Sequence, residues 1–176
     1  MGFKEYADND KKVSRAKDFA IDKHAGQVRK FDLKPYHIHP EKVADIVKSH
    51  GGSEEEITAA WLHDTVEDTD VTLEQLTELF GSVVSGLVGE LTSPALKDKS
   101  KKGEMLVGKM NAMSSPALTI KLADRLHNVS DFPSAPKNFI RGYKRETEFI
   151  INNLKDDLTE VQRKIIEDII KTIERF

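Results

Sequence analysis

Ala60-Trp61-Leu62-His63-Asp64-Thr65-Val66-Glu67-Asp68-Thr69 places one histidine and three carboxylates within six consecutive positions of an otherwise apolar stretch. At about 100° per residue, His63, Asp64, Glu67 and Asp68 share an arc of roughly 140° on one side of a helix. Ala60, Leu62 and Val66 leave the rest of that helix free to pack. Ionised carboxylates are seldom buried side by side without a compensating cation, and a divalent metal would supply one. The alternative is a solvated acidic face at a helix end.

Outward from this stretch the hydrophobic period stays helical, with no convincing strand pair. A helix is expected over about 10–25, with Val13, Ala16, Lys17, Ala20 and Ile21 along one face. A loop follows over 26–38. Pro40 suits a first helical turn, where its missing N–H would have no partner anyway, and Gly51-Gly52 ends that helix. Ser53 with Glu56 reads as a capping box for the next helix, expected to run unbroken to Asp68. Thr72 with Gln75 repeats the pattern, and Gly81 is a natural stop. Further helices are expected over about 82–92, 104–113, 116–131, 137–154 and 159–175. Ser93–Gly103, with Lys97, Lys99, Lys101 and Lys102, reads as a solvated basic loop or as a flap that meets phosphate. The fold expected is an all-α multi-helix bundle of about eight or more helices, in one domain over 1–176.

Composition narrows the function classes. Hydrophobic residues at 38% and charged residues at 32% fit a globular domain able to bury a sizeable core. A net charge of −3 provides no global basic field, so no nucleic-acid partner is expected. No apolar run reaches the roughly 18 residues of a membrane span, so no membrane partner is expected either. The absence of cysteine excludes disulfides and thiolate ligands and fits a reducing cytoplasm. The last helix carries Val161, Ile165, Ile166, Ile169, Ile170 and Ile173, a broad apolar face that reads as core or as the contact of a homodimer.

Four motifs occur in order: His24-Ala25-Gly26-Gln27-Val28-Arg29-Lys30, then Pro35-Tyr36 with His39-Pro40, then His63-Asp64-Thr65-Val66-Glu67-Asp68-Thr69, then Lys121-Leu122-Ala123-Asp124-Arg125-Leu126-His127-Asn128. In this order and spacing the chain resembles the HD-domain metal-dependent phosphohydrolases, and within them the hydrolase domain of the RelA/SpoT alarmone enzymes. The resemblance implies an all-α HD-domain bundle. It implies His39, His63, Asp64 and Asp124 as metal ligands, leaving open positions on an octahedral ion, with Mn²⁺ the expected metal and Fe²⁺, Co²⁺ or Zn²⁺ as alternatives. It implies Glu67 and Asp68 as the carboxylates that handle protons around the reacting water. Arg29, Lys30 and Asn128 are implied as substrate contacts, and Arg141 and Arg145 fall in the region of a helix bordering the nucleotide. His24 and His127 read as structural, Arg125 as an internal ion-pair partner, and Tyr143 as a stacking or packing residue.

The reaction implied is hydrolysis of the 3′-pyrophosphate of ppGpp or pppGpp, giving GDP or GTP and pyrophosphate. No synthetase segment follows in this sequence, which is the pattern of a stand-alone small alarmone hydrolase. The chain also departs from the resemblance. Phe31-Asp32-Leu33-Lys34 stands where Ser-Gly-Glu is common, and Val129-Ser130-Asp131 where Met-Arg-Thr is common. The Asp131 difference keeps other substrates open: an adenosine alarmone, NADPH or a nucleoside monophosphate. A non-catalytic alarmone-binding or antitoxin-like module is the alternative from a different class.

Overall fold

The structure, a computed structural model, describes residues 2–93 and 101–176, with backbone alone for residues 2–10. The described residues are all-α. They form ten α-helices: α1 Gly2–Lys23, α2 Ile38–Ser49, α3 Glu54–Leu62, α4 Thr65–Asp68, α5 Leu73–Phe80, α6 Ser82–Leu91, α7 Lys102–Ala112, α8 Ser115–Ser130, α9 Lys137–Asn152 and α10 Glu160–Ile173. A 3-10 turn, Phe132–Ser134, lies between α8 and α9. Of the expected basic loop or flap, residues 94–100, with Lys97 and Lys99, lie outside the described residues.

The chain divides into two units, Met1–Ser93 and Pro94–Phe176. In the first, α3 packs against α1, α2 and α6, and α5 pairs with α6. A helix with neighbours on several sides needs apolar residues all round, and Thr58, Ala59, Ala60, Trp61 and Leu62 are all buried. Ala59 and Ala60 keep its surface small enough for close helix approach. The start of α3 is set locally. Ser53 Oγ accepts from the Glu56 N–H at 3.2 Å, and Glu56 Oε2 accepts from the Ser53 N–H at 2.8 Å. The same reciprocal pair, Thr72 with Gln75, starts α5. Gly81, at φ 92°, ends α5 in a conformation that favours glycine.

The expected single helix from Ser53 to Asp68 is two. It breaks at His63-Asp64, and α4 resumes at Thr65. Side chains take over backbone acceptors at the break: His63 Nδ1 meets Ala60 O at 2.7 Å and Thr65 Oγ1 donates to Leu62 O at 2.7 Å. Such local side-chain bonds compete with the helical ladder. The 26–38 loop is more ordered than expected, with an isolated antiparallel bridge between Val28 and Pro35. Leu33 closes the turn at φ 58°, in the left-handed region.

In the second unit α8 packs against α10, with further contacts to α7, α9 and the 3-10 turn. Ser114 caps α8 and Thr159–Gln162 forms the capping box of α10. Ile165, Ile166, Ile169 and Ile173 are buried, so the core reading of that face holds for these four, while Ile170 is exposed. The buried Gln162 amide donates to Ser115 O at 2.9 Å and to Thr119 Oγ1 at 3.2 Å, a polar cross-link between α10 and α8.

Candidate functional site

The first unit gathers its polar groups around Asp64. Asp64 Oδ2 lies 3.1 Å from His63 Nε2 and 3.5 Å from His39 Nε2, and accepts the Tyr36 hydroxyl at 2.7 Å. His39 and His63 are both buried, their ring centroids 5.2 Å apart. Three elements supply these groups: the end of the 26–38 loop, the first turn of α2, and the break between α3 and α4. The break places Asp64 at the entrance of α4, so that Glu67 and Asp68 follow within one turn.

An HD domain implies a divalent metal, and the donor set of this unit fits one. A backbone carbonyl only accepts, so His63 Nδ1 carries the proton in its 2.7 Å contact with Ala60 O. In the neutral ring the lone pair is then on Nε2, the atom turned to Asp64. A lone pair against a carboxylate oxygen is an arrangement that a shared cation stabilises. Two imidazole nitrogens and a carboxylate oxygen suit first-row divalent ions.

Glu67 Oε2 accepts the Ser93 backbone N–H at 3.0 Å. The Asp68 carboxyl is pushed above the usual aspartate range by partial loss of solvent and by the negative charge of Asp64, against a hydrogen bond from Tyr36 and the nearby His24 and His63. Burial, then the Asp64 charge, pushes the Tyr36 hydroxyl far above the ordinary tyrosine range, so it stays protonated and acts as a donor.

Tyr36, Gln27 and His24 were not among the expected functional residues, although all three fall in the quoted motifs. Gln27 Nε2 donates to the Asp68 carbonyl at 3.0 Å, which orients the amide so that its oxygen receives His24 Nδ1 at 2.8 Å. His24 is buried and its ring lies 4.8 Å from that of Tyr36. Arg29 and Lys30 lie on the 26–38 loop. Arg29 is half-buried and its N–H bonds Lys34 O at 2.7 Å, while exposed Lys30 sits over the Phe31 ring at 5.4 Å.

In the second unit, Asp124 is buried on α8. Its Oδ2 receives Lys121 Nζ at 2.8 Å and its Oδ1 receives Asn128 Nδ2 at 2.6 Å. Asn128 thus has a definite partner in a residue expected to bind metal, and Lys121, in the same motif, is a further neighbour. The i, i+3 and i, i+4 spacings were the available signal. Arg125 pairs with Glu146 at 3.3 Å, donates to Thr147 Oγ1 at 2.9 Å and covers the Tyr143 ring at 4.8 Å, as an internal partner should. Tyr143 packs, stacked on Phe139 at 5.6 Å. Asp131 Oδ1 lies 3.9 Å from His127 Nε2. Arg141 and Arg145 are exposed on α9.

An all-α set of described residues, a His-Asp pair at a helix break and a second histidine against the same carboxylate together point to the HD class of domain. The chain belongs to the HD-domain family, whose model matches residues 16–156. It is similar to a probable guanosine-3′,5′-bis(diphosphate) 3′-pyrophosphohydrolase of Synechocystis, 36% identical over 83% of this chain and 20% of that protein. It is also similar to the Xenopus tropicalis guanosine-3′,5′-bis(diphosphate) 3′-pyrophosphohydrolase MESH1, 38% identical over 68% of each chain. The solved structure of a metazoan ortholog of SpoT, described as hydrolysing ppGpp, superposes with a TM-score of 0.79 at 28% identity, covering 91% of this chain and 94% of that one. The chain thus spans about a fifth of the length of the Synechocystis relative and about two thirds of the frog one. Among the described residues no helix is long and apolar enough to cross a membrane.

Proposed function

We propose that this chain hydrolyses the 3′-pyrophosphate of a guanosine alarmone, converting ppGpp or pppGpp to GDP or GTP and pyrophosphate. The observation that carries the reading is the grouping of His39, His63 and Asp64 one turn before Glu67 and Asp68, in a chain similar to named pyrophosphohydrolases. His39, His63, Asp64 and, by the family pattern, Asp124 are the residues that would hold a divalent ion, with Mn²⁺ favoured by the resemblance to the RelA/SpoT hydrolases and Fe²⁺, Co²⁺ or Zn²⁺ as alternatives. When bound, such an ion supplies Lewis acidity toward phosphate and lowers the pKa of water.

The protein groups have separate tasks. A water oxygen bonds to the phosphorus attached to the ribose O3′, the bond from that phosphorus to O3′ breaks, and pyrophosphate leaves intact. Glu67 and Asp68 are assigned to take the proton from water and return one to O3′. Arg29 and Lys30 are assigned to the nucleotide, arginine by stacking on the base and lysine by meeting phosphate. Asn128, Arg141 and Arg145 complete the substrate contacts in this reading. The setting proposed is cytoplasmic, in keeping with the lack of cysteine, and the assembly proposed is a homodimer.

The test is product analysis. Purified protein with Mn²⁺ and ppGpp is expected to yield GDP and intact pyrophosphate. A chelator, or Asp64→Ala, is expected to abolish the reaction. Release of orthophosphate, or turnover of NADPH, nucleoside monophosphates or pppApp in preference to ppGpp, would replace this reading by another HD phosphohydrolase activity. Bound but unchanged ppGpp would leave a sensor.

A further inference from the structure

We propose that Tyr36 is a positioning residue, whose hydroxyl, donated to Asp64, fixes the metal-binding carboxylate one helical turn before the carboxylates assigned to proton transfer. The inference rests on the reading above that Asp64 is a metal ligand. It starts from the hydroxyl, which donates to Asp64 Oδ2 at 2.7 Å. A carboxylate free to turn about its Cβ–Cγ bond presents its oxygens over a wide arc. An O–H donor on one oxygen narrows that arc before any ion arrives. Outer hydrogen-bond partners of metal ligands commonly matter 10–100-fold, in the order-of-magnitude sense, for affinity or activity.

Tyr36 is itself held on several sides. Its N–H donates to Gln27 O at 3.0 Å, and its carbonyl accepts the His39 N–H at 2.9 Å. Its ring lies 4.8 Å from that of His24 and 5.9 Å from that of His39. Gln27 in turn grips the Asp68 carbonyl at 3.0 Å. Tyr36 thus bonds through its backbone to one expected ligand, His39, and through its hydroxyl to another, Asp64. A residue serving only to fill space would need the ring and not the oxygen.

Tyr36→Phe separates the two, because it keeps the ring and removes one atom. The experiment titrates Mn²⁺ alone into wild type and variant by calorimetry, records apo melting curves, and measures kcat and KM for ppGpp at saturating Mn²⁺. The expected result is an apo melting curve near wild type, a Kd for Mn²⁺ raised on the order of tenfold, and a kcat lowered on the order of tenfold with KM little changed. If the Phe variant melts near room temperature, the same titration is run below its transition, with the roughly tenfold loss still expected and wild-type affinity counting against the hydrogen bond. Wild-type Kd and kcat in Tyr36→Phe would overturn the assignment of Tyr36 and leave the metal reading intact. Wild type that binds no divalent ion would overturn the metal reading and this inference with it.

Discussion

Asp64 collects three polar neighbours on one oxygen, and Glu67 and Asp68 follow it by a turn in different surroundings. Glu67 accepts a backbone N–H, whereas Asp68 has its carboxyl pushed up by lost solvent and by Asp64. Charge-neutral replacements keep both shapes. Glu67→Gln and Asp68→Asn are therefore expected to retain Mn²⁺ binding while at least one lowers turnover on the order of 10²-fold, the common scale for a lost general base. Full turnover in both, measured by pyrophosphate release, would withdraw their assignment. Leu33 offers a stability test at the same scale. It is a non-glycine residue at φ 58° and strongly exposed, so its side chain has little packing to lose. The left-handed region costs such a residue roughly 1–2 kcal/mol, partly offset by the greater freedom of glycine in the unfolded chain. Leu33→Gly should raise unfolding stability by roughly 0.5–1 kcal/mol in urea melts.

At the scale of elements, helix starts follow local chemistry and helix interiors follow packing. The Ser53–Glu56 box satisfies backbone donors at the entrance of α3, the helix that leads directly into His63 and Asp64. Ser53→Ala leaves the Glu56 N–H to water and should destabilise the protein by about 1 kcal/mol, seen as a lower urea midpoint with an unchanged slope. The boundaries of α2, α5, α6 and α8 lay within a few residues of expectation because prolines, glycines and capping pairs mark them in the chain itself. The break between α3 and α4 was not legible in that way. An ideal helix through 53–68 satisfies the hydrophobic period equally well, and what interrupts it is a pair of side-chain hydrogen bonds to Ala60 O and Leu62 O. The Val28–Pro35 bridge was hidden for a related reason: a one-pair ladder in a polar loop has no period to read.

For the whole molecule, a metal that binds the folded chain and not the unfolded one adds RT ln(1 + [L]/Kd), about 2.7 kcal/mol at a hundredfold excess over Kd. Mn²⁺ should therefore raise the melting temperature, EDTA should reverse the rise, and Asp64→Ala should abolish it; identical melts with and without metal would count against a site built on His39, His63 and Asp64. The amino-acid sequence by itself determined the all-helical class, most helix ends, and the candidate His-Asp and Glu-Asp groups, because these are written in periodicity, caps and motifs a few residues long. Only the tertiary structure decided that Tyr36 meets Asp64 across 28 positions and that Gln27 reaches the Asp68 carbonyl across 41. The physical reason is range. A cap or a helical face is settled within one or two turns of chain, whereas a side-chain hydrogen bond between distant segments exists only once packing has brought their backbones to fixed positions and orientations.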